Sequence, residues 1–417
     1  MIYRAPLGFG NLDSARQSKI EASSARAPNE EDHSQIGKAD EEDRFGKVAA
    51  SSNFQNQTAR GIKERGNSFL RFLDRYLGIP LIYLLGLCKK RKAALPESIH
   101  SAAFLITSGI GDLVLASAIL RDLMAHFPTL RVTLFCGRSN FAMAELIQNV
   151  QRVPLSITRP LKAISTIRKE SFDLFIDCNP WPRINALFCY FARASYKIGF
   201  RTKSQYRHFI YDFSPVHRDD VHEIENLRNL IRPLCPTPSE LPHIPLSSPS
   251  EKKGVVLHLF AGGSRAHLKE WPSEKWIELI NHLTAKNIPI ILTGSTQDAK
   301  KLYALVHRCR RPETVAVVAE KLSLKETAEK LLSSQAVVTV DTGIMHLAAA
   351  VGAHVIALHG PTSSKRWGAL SDKTIVVTCK QAYIPCIYLG FEKICKTNLC
   401  MQKITVSSVI EALESVL

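Results

Sequence analysis

Val337–Pro361 reads VVTVDTGIMHLAAAVGAHVIALHGP. An apolar β-type run stops at Asp341-Thr342-Gly343, and a helix carrying His346 begins at once. The first amides of a helix have no intrahelical partner, and the helix dipole is positive at that end. A strand running directly into such a start makes an anion site, so the pattern points to a phosphorylated ligand. A plainer role stays open for the same residues, with Asp341 capping its helix and His346 on a solvated face.

On either side of this stretch, short apolar strands alternate with amphipathic helices. Before it run GVVLHLFAG (254–262), WPSEKWIELINHLTAKN (271–287), IPIILTGS (288–295), a helix from about Gln297, VAVVAE (315–320) and SLKETAEKLLSSQ (323–335). Further upstream, AAFLITS (102–108) passes through Gly109-Ile110-Gly111-Asp112 into LVLASAILRDLMAHF, and RVTLFCG and FDLFIDCN supply two more strands. This βαβα alternation predicts parallel sheets with sites at the carboxyl ends of their strands. A Pro-rich passage from Arg232 to Pro249 interrupts it and reads as an interdomain linker. The expected fold class is α/β, two Rossmann-like domains facing across a cleft. The expected boundaries are a polar disordered tail at 1–60, an amphipathic and apolar segment at 61–98, one Rossmann-like domain at 99–245 and a second at 246–417.

Two further turns carry chemistry. In Gly-Ile-Gly-Asp the glycines allow close backbone approach to a ligand, and Asp112 stands where strand gives way to helix. Asp112 is read either as a first-turn carboxylate satisfying amides or as a base at the cleft mouth. A dinucleotide fingerprint would need a third glycine, and Leu115-Ala116 occupy that region. In the second half, Ala261-Gly262-Gly263-Ser264 offers uncovered amides and a hydroxyl, with Lys269 just before a helix opening at Pro272. Flexible glycines, a hydroxyl and a lysine suit a diphosphate, although the P-loop pattern GxxxxGK[ST] is absent. Trp271 and Trp276 read as packing residues.

Charge and cysteine usage narrow the setting. Of 54 Lys/Arg and 38 Asp/Glu, residues 1–60 hold 8 and 9, leaving 46 against 29 in the remainder, which is therefore strongly basic. That balance suits an anionic membrane, a phosphorylated substrate or nucleic acid. No nucleic-acid-binding signature appears, so nucleic acid is ranked last. Hydrophobic residues make up 45% of the chain, enough to bury two cores. Ten cysteines occur, several inside apolar runs, and with no secretory signal at the N-terminus a reducing cytoplasm is expected. Cys379, Cys386, Cys395 and Cys400 lack a CxxC pair and read as buried thiols ahead of a metal site. The run FLRFLDRYLGIPLIYLLGLCKKRK (69–92) joins an apolar stretch, Leu77–Cys88, to the basic cluster Lys89, Lys90, Arg91 and Lys92. Twelve residues of helix reach about 18 Å, short of the roughly 30 Å of a hydrocarbon core. The segment cannot span, so it reads as a helix lying on an anionic membrane surface or packed on the folded body.

SGIGDLVLASAILRDL (108–123), GGSRAHLKEWPSEKW (262–276) and VDTGIMHLAAAVGAHVIALHGPT (340–362), in that order, resemble the bacterial lipopolysaccharide heptosyltransferases, which use ADP-heptose and adopt the GT-B fold. The resemblance runs from about residue 99 to 417. It implies that Asp112 is the general base and that Lys269 stabilises charge on the leaving nucleotide, these two being the catalytic residues. Gly262, Gly263, Ser264, Lys269, Asp341, Thr342, Gly343 and His346 would bind the donor. Gly111, Asp177, Asn179, Arg183, Arg201 and Arg207, with Lys197 and Lys203 nearby, are candidates for an acidic lipid-linked glycan acceptor such as the lipopolysaccharide inner core. The implied reaction inverts configuration and uses no metal or other cofactor, in keeping with the lack of an Asp-x-Asp motif. The implied location is the cytoplasmic face of the inner membrane, peripherally bound. One departure concerns the nucleotide: where the family commonly has a ribose-binding glutamate, this chain has Thr296-Gln297-Asp298. A transferase for another nucleotide sugar, or a binding protein that has lost catalysis, are the alternatives. A nucleotide-sugar epimerase or dehydrogenase would want GxGxxG and Tyr-x-x-x-Lys, and neither is found.

Overall fold

The computed structural model describes residues 1–4, 68–90, 92–263, 265–379, 385–387 and 397–417. Two sheets organise it, each built around a point where strand order reverses. The first lobe holds β2 (Ser101–Ile106), α3 (Ile110–His126), β3 (Arg131–Cys136), β4 (Gln151–Pro154), α4 (Pro160–Ile167), β5 (Ser171–Asp177), α5 (Arg183–Phe191), β6 (Arg193–Gly199) and α6 (Glu223–Ile231). Ahead of it lie β1 (Ile2–Arg4) and the helices α1 (Ser68–Tyr76) and α2 (Gly78–Cys88). The second lobe holds β7 (Val255–His258), α7 (Ser273–Ala285), β8 (Ile290–Thr293), α8 (Ala299–Val306), β9 (Val315–Val317), α9 (Leu324–Ser333), β10 (Ala336–Val340), α10 (Gly343–Ala350), β11 (Val355–His359), β12 (Thr374–Thr378) and α11 (Val406–Glu414).

The first sheet has the order β4-β3-β2-β5-β6, with every pairing parallel. The second has the order β1-β12-β11-β10-β7-β8-β9, parallel apart from β1. In the first, β3 and β5 leave β2 in opposite directions; in the second, β8 and β10 leave β7 in opposite directions. Ligands bind where strand order reverses in such sheets. The loops at these reversals are Thr107–Gly109 after β2, the Gly262-Gly263 loop after β7 and Asp341-Thr342 after β10. The three motifs of the sequence thus lie at the two sites that topology alone would nominate.

Residues 1–4 depart from the expected disordered tail. Ile2, Tyr3 and Arg4 pair antiparallel with Val377, Val376 and Ile375, covering the outer edge of β12. Residues 5–60 of that expected tail lie outside the described residues.

Strand alternation divides the cores. Ala102, Phe104 and Ile106 of β2 face one apolar cluster, whereas Ala103 and Leu105 face another. On β10, Val337 joins the first cluster while Val338 and Val340 face a third. That first cluster is continuous across the lobes, uniting Leu113, Leu120 and Leu123 of α3, Leu227 and Ile231 of α6, and Leu347, Ala348 and Val351 at α10. The Pro-rich passage is tied down along it. Asp122 Oδ1 accepts from the amides of Ser239 and Glu240 (2.9 and 3.0 Å), Arg121 Nη1 donates to Leu241 O (3.1 Å), and Ile244 N donates to Ala350 O (3.0 Å). The expected linker is a strap laid over the interlobe helices.

α3 and α10 meet at their first turns. A methyl group on Gly111 would lie 2.9 Å from His346 Cδ2 and 3.3 Å from Gly343 Cα; one on Gly343 would lie 2.9 Å from Gly111 N and from Ile110 Cβ. Backbone and ring occupy those positions, so neither glycine tolerates a side chain without parting the lobes. Gly343→Ala is expected to destabilise the fold by about 1–3 kcal/mol through overpacking. A urea midpoint unchanged from the parent would show that the contact is not needed.

Candidate active site

The site grows from these two helix starts. At the first, Gly109 N donates to Asp112 Oδ2 (2.7 Å), which tightens the turn and fixes the carboxylate at the mouth of α3. Asp112 is half-buried, and its Oδ1 has no hydrogen-bond partner among the described residues. One oxygen of Asp112 thus serves the helix start and the other is left over. At the second start, the Thr342 hydroxyl accepts from Ile344 N (3.0 Å) as helix cap. Asp341 lies buried just before it.

Lys269 reaches Asp341 from the turn Ala266–Lys269, its Nζ 3.0 Å from Asp341 Oδ2. Burial opposes the charge on Asp341, but the adjoining Lys269 ammonium together with His359 and the Thr362 hydroxyl outweighs it and holds the carboxyl well below the usual carboxylate range. Upstream of that turn, Gly262 and Gly263 are exposed with open space around them. Gly263 has φ +85°, a backbone region that glycine enters without strain. Ser264, expected to lend a hydroxyl, lies outside the described residues.

His346 is 6% exposed and abuts Gly111, and its Nδ1 has no hydrogen-bond partner among the described residues. Burial pushes its pKa down to about 3, against the pull of Asp341. His359 at the end of β11 is 1% exposed, and neither ring nitrogen has such a partner. Parallel pairing of Val340 with Leu358 sets His359 beside Asp341. Buried polar groups are nearly always satisfied. Unused nitrogens beside two converging helix starts mark a place for a ligand rich in acceptor oxygens.

The expected acceptor residues are not all available. Asp177 and Arg207 are wholly buried and ion-paired, with Tyr211 Oη donating to Asp177 Oδ2 (2.7 Å) and Asn179 Nδ2 donating to Asp177 Oδ1 (2.9 Å). Arg183 is 5% exposed and spends its guanidinium on Asp74 (2.8 Å) and on the carbonyls of Ser204 and Gln205. Asp177, Asn179, Arg183 and Arg207 are accordingly corrected from acceptor contacts to structural groups, because their bonding capacity is used inside the lobe. Lys197 donates to Tyr190 O. Gly111 faces the second lobe, while Arg201 and Lys203 are exposed. Trp271 and Trp276 pack edge to face at 5.0 Å, as expected. Asp298 is taken up by Ser295, accepting from its amide and hydroxyl (2.9 and 2.6 Å). Cys379, Cys386 and Cys400 are buried, and Cys395 lies outside the described residues.

Some interlobe contacts had no signal in the sequence. His222 Nδ1 accepts from Ile224 N (3.1 Å) at the start of α6, so its Nε2 carries the proton that bonds Gly368 O (2.9 Å) in the second lobe. Glu223 beside it meets Arg366 at 3.5 Å and His217 at 2.7 Å.

Residues 161–389, more than half of the chain, match the family described as Glycosyltransferase family 9 (heptosyltransferase). The chain belongs to that family. Lipooligosaccharide heptosyltransferase 2 of Haemophilus influenzae is 32% identical over 126 residues, 29% of this chain and 36% of that protein. The aligned part thus spans about a third of that curated relative. Among solved structures, Escherichia coli ADP-heptose lipopolysaccharide heptosyltransferase II superposes with a TM-score of 0.65 at 19% identity, covering 76% of this chain and 98% of the other. Escherichia coli heptosyltransferase WaaC with ADP gives 0.62 at 20% identity, covering 76% and 100%. These likenesses establish the GT-B fold for the family 9 chain.

Its buried neutral imidazoles make the family 9 chain acid-sensitive. An unfolded histidine takes up its proton near pH 6.5, the folded His346 only near 3. Between those limits the unfolded state binds more protons, so stability is complete above about pH 6.5 and falls as pH drops. Urea titrations at pH 7 and pH 5 are expected to show losses of up to about 1.4 kcal/mol per pH unit for such a histidine, and His346→Gln to reduce them. An unaltered pH slope in the variant would contradict the burial argument.

Proposed function

We propose that this chain transfers a heptose from ADP-heptose to a lipid-linked glycan acceptor, the lipopolysaccharide inner core being the acceptor class its family suggests. One observation carries the reading: a half-used carboxylate, Asp112, stands at one helix start while Lys269, Asp341 and His346 crowd the abutting one. Asp341 and Thr342 set the start of α10, whose Gly343 amide, without a partner among the described residues, and positive dipole end receive the diphosphate with Lys269. His346 Nδ1 and the two His359 nitrogens offer further polar contacts. As the nucleotide departs, Lys269 offsets the charge on its terminal phosphate. Asp112 Oδ1 takes the proton from the acceptor hydroxyl as that oxygen attacks the anomeric carbon from the opposite side. A single displacement of this kind inverts configuration. A lysine and backbone amides supply the positive charge, so the reading assigns no step to a metal. Gly262 and Gly263, open to solvent, leave room for the nucleotide end of the donor. The acceptor is anchored in the cytoplasmic face of the inner membrane, and the enzyme works peripherally on it.

Purified protein supplied with ADP-heptose and a heptose-accepting lipid-linked glycan is expected to release ADP and to increase the acceptor mass by one heptose. Asp112→Asn keeps the shape and the helix-capping oxygen but removes the base. It is expected to lower kcat by about 10²–10⁴-fold while ADP affinity stays within about threefold. Equal turnover by the variant removes Asp112 from the base role, and absence of transfer by the parent protein with ADP-heptose refutes the donor assignment. Lys269→Met is expected to lower kcat by roughly 10²-fold or more and to weaken ADP binding, read by kinetics and calorimetry.

A further inference from the structure

The helices α1 and α2 lie ahead of the matched family region and run on from one another through Leu77, whose backbone is helical and whose amide and carbonyl bond Leu73 O and Leu81 N (2.9 and 3.2 Å), and the pair is held against the first lobe. Near its start, Asp74 Oδ1 accepts from Arg183 N (2.7 Å) and Ile184 N (3.3 Å), and Asp74 Oδ2 accepts from Arg183 Nη1 (2.8 Å). One carboxylate thus caps the start of α5 and pairs with its first side chain. Just beyond α2, Asp212 receives the Lys89 ammonium and the Lys92 amide (3.0 Å). Between these clamps Ile82 is wholly buried, and a methyl group on Gly86 would lie 2.7 Å from Phe209 Cβ. Lys89, read from sequence as part of a headgroup-binding cluster, is therefore an anchor to the protein itself.

The outer side is the reverse in character. Phe72, Tyr76, Leu77, Leu81, Tyr83, Leu84 and Leu87 are exposed, Leu84 at 61% and Leu87 at 77%. Leu77, Leu81, Leu84 and Leu87 recur at helical spacing and share one face of α2. Exposed Arg75 precedes that face and exposed Lys90 and Lys92 follow it, while the one acidic residue of 72–92, Asp74, is spent on Arg183. An apolar face flanked by cations and lacking a free carboxylate complements an anionic, oily surface. Among the described residues no helix is long and apolar enough to cross a membrane. The position of the face matters as well. α5 begins beyond the carboxyl end of β5, the same sheet edge from which the Gly109–Asp112 turn projects, so the Asp74 clamp sets α1 at the cleft end of the lobe.

We infer that the α1–α2 helical segment is a rigid docking platform for anionic lipid bilayers, with Leu77, Leu81, Leu84 and Leu87 entering the interface and Arg75, Lys90 and Lys92 meeting lipid phosphates. The inference deepens the proposed transfer to a lipid-linked acceptor by naming the surface that brings the cleft to it. The full chain is expected to float with phosphatidylglycerol-containing vesicles, less at high salt, and far less with phosphatidylcholine alone. Leu84→Glu/Leu87→Glu is expected to weaken partition more than about tenfold, and Lys90→Ala and Lys92→Ala about fivefold each. Because these side chains face solvent, the thermal midpoint stays unchanged, as does transfer to a lipid-free acceptor glycan. Equal partition of parent and leucine variant overturns the proposal. So does failure of the parent to bind anionic vesicles, or a leucine variant that changes oligomeric mass in light scattering instead of lipid partition. Loss of transfer in every form, with partition intact, refutes the activity and leaves the platform standing.

Discussion

Two helix starts pressed together through Gly111 and Gly343 are the constraint on which the rest of the structure depends. Each helix brings about half a positive charge and a set of unpaired amides to its first turn. Placing two such ends in contact is unfavourable unless anions accompany them, and the chain provides one for each: Asp112 inside the first turn of α3 and Asp341 just ahead of α10. The apolar cluster shared by α3, α6 and α10 holds the helices in register despite the repulsion. The lobes therefore meet on packed hydrocarbon, flanked by the polar contacts of His222, Glu223 and Ile244 with the second lobe.

Lys269 changes the balance there. Its ion pair with Asp341 cancels the anion belonging to α10 and leaves that dipole and its Gly343 amide uncompensated. Neutral, buried His346 and His359 add nitrogens able to bond without adding charge. An uncompensated helix start with neutral polar nitrogens beside it complements acceptor oxygens and negative charge. Were His346 protonated in its buried position, the same pocket would have to carry an additional desolvated cation. Its depressed pKa is thus part of the electrostatic design of the seam.

The sequence made the fold class and the three motif loops legible because each is local. Strand residues, glycines and a helix start follow one another within about a dozen positions, and period-2 and period-3.6 patterning reports each element separately. Long-range polar pairing left no comparable mark. Asp177 and Arg207 are 30 positions apart, and as isolated charges they read as surface groups able to take an acceptor; only the fold reveals that they neutralise one another in the core. His222 with Gly368 and Glu223 with Arg366 were invisible for the same reason. Ile2–Arg4 escaped notice because three strand residues carry no periodicity and their partner lies more than 370 residues away.

The helical segment formed by α1 and α2 shows how a single sequence pattern serves both of its readings. Its apolar run was open to a membrane helix or a helix packed on the body, and the structure divides it by face: Ile82 and Gly86 inward, Leu77, Leu81, Leu84 and Leu87 outward. The basic cluster divides likewise, Lys89 turning in to Asp212 while Lys90 and Lys92 remain outside. A helix that merely completed the core would not keep its leucines in water, since burying each would contribute roughly 1.5–3 kcal/mol. A helix that only met lipid would not need carboxylate clamps to the protein, half-buried at Asp74 and buried at Asp212. Together the clamps and the exposed leucines describe an element made to transmit the position of one surface to another, linking whatever lies against its outer face to the Asp112 end of the first lobe.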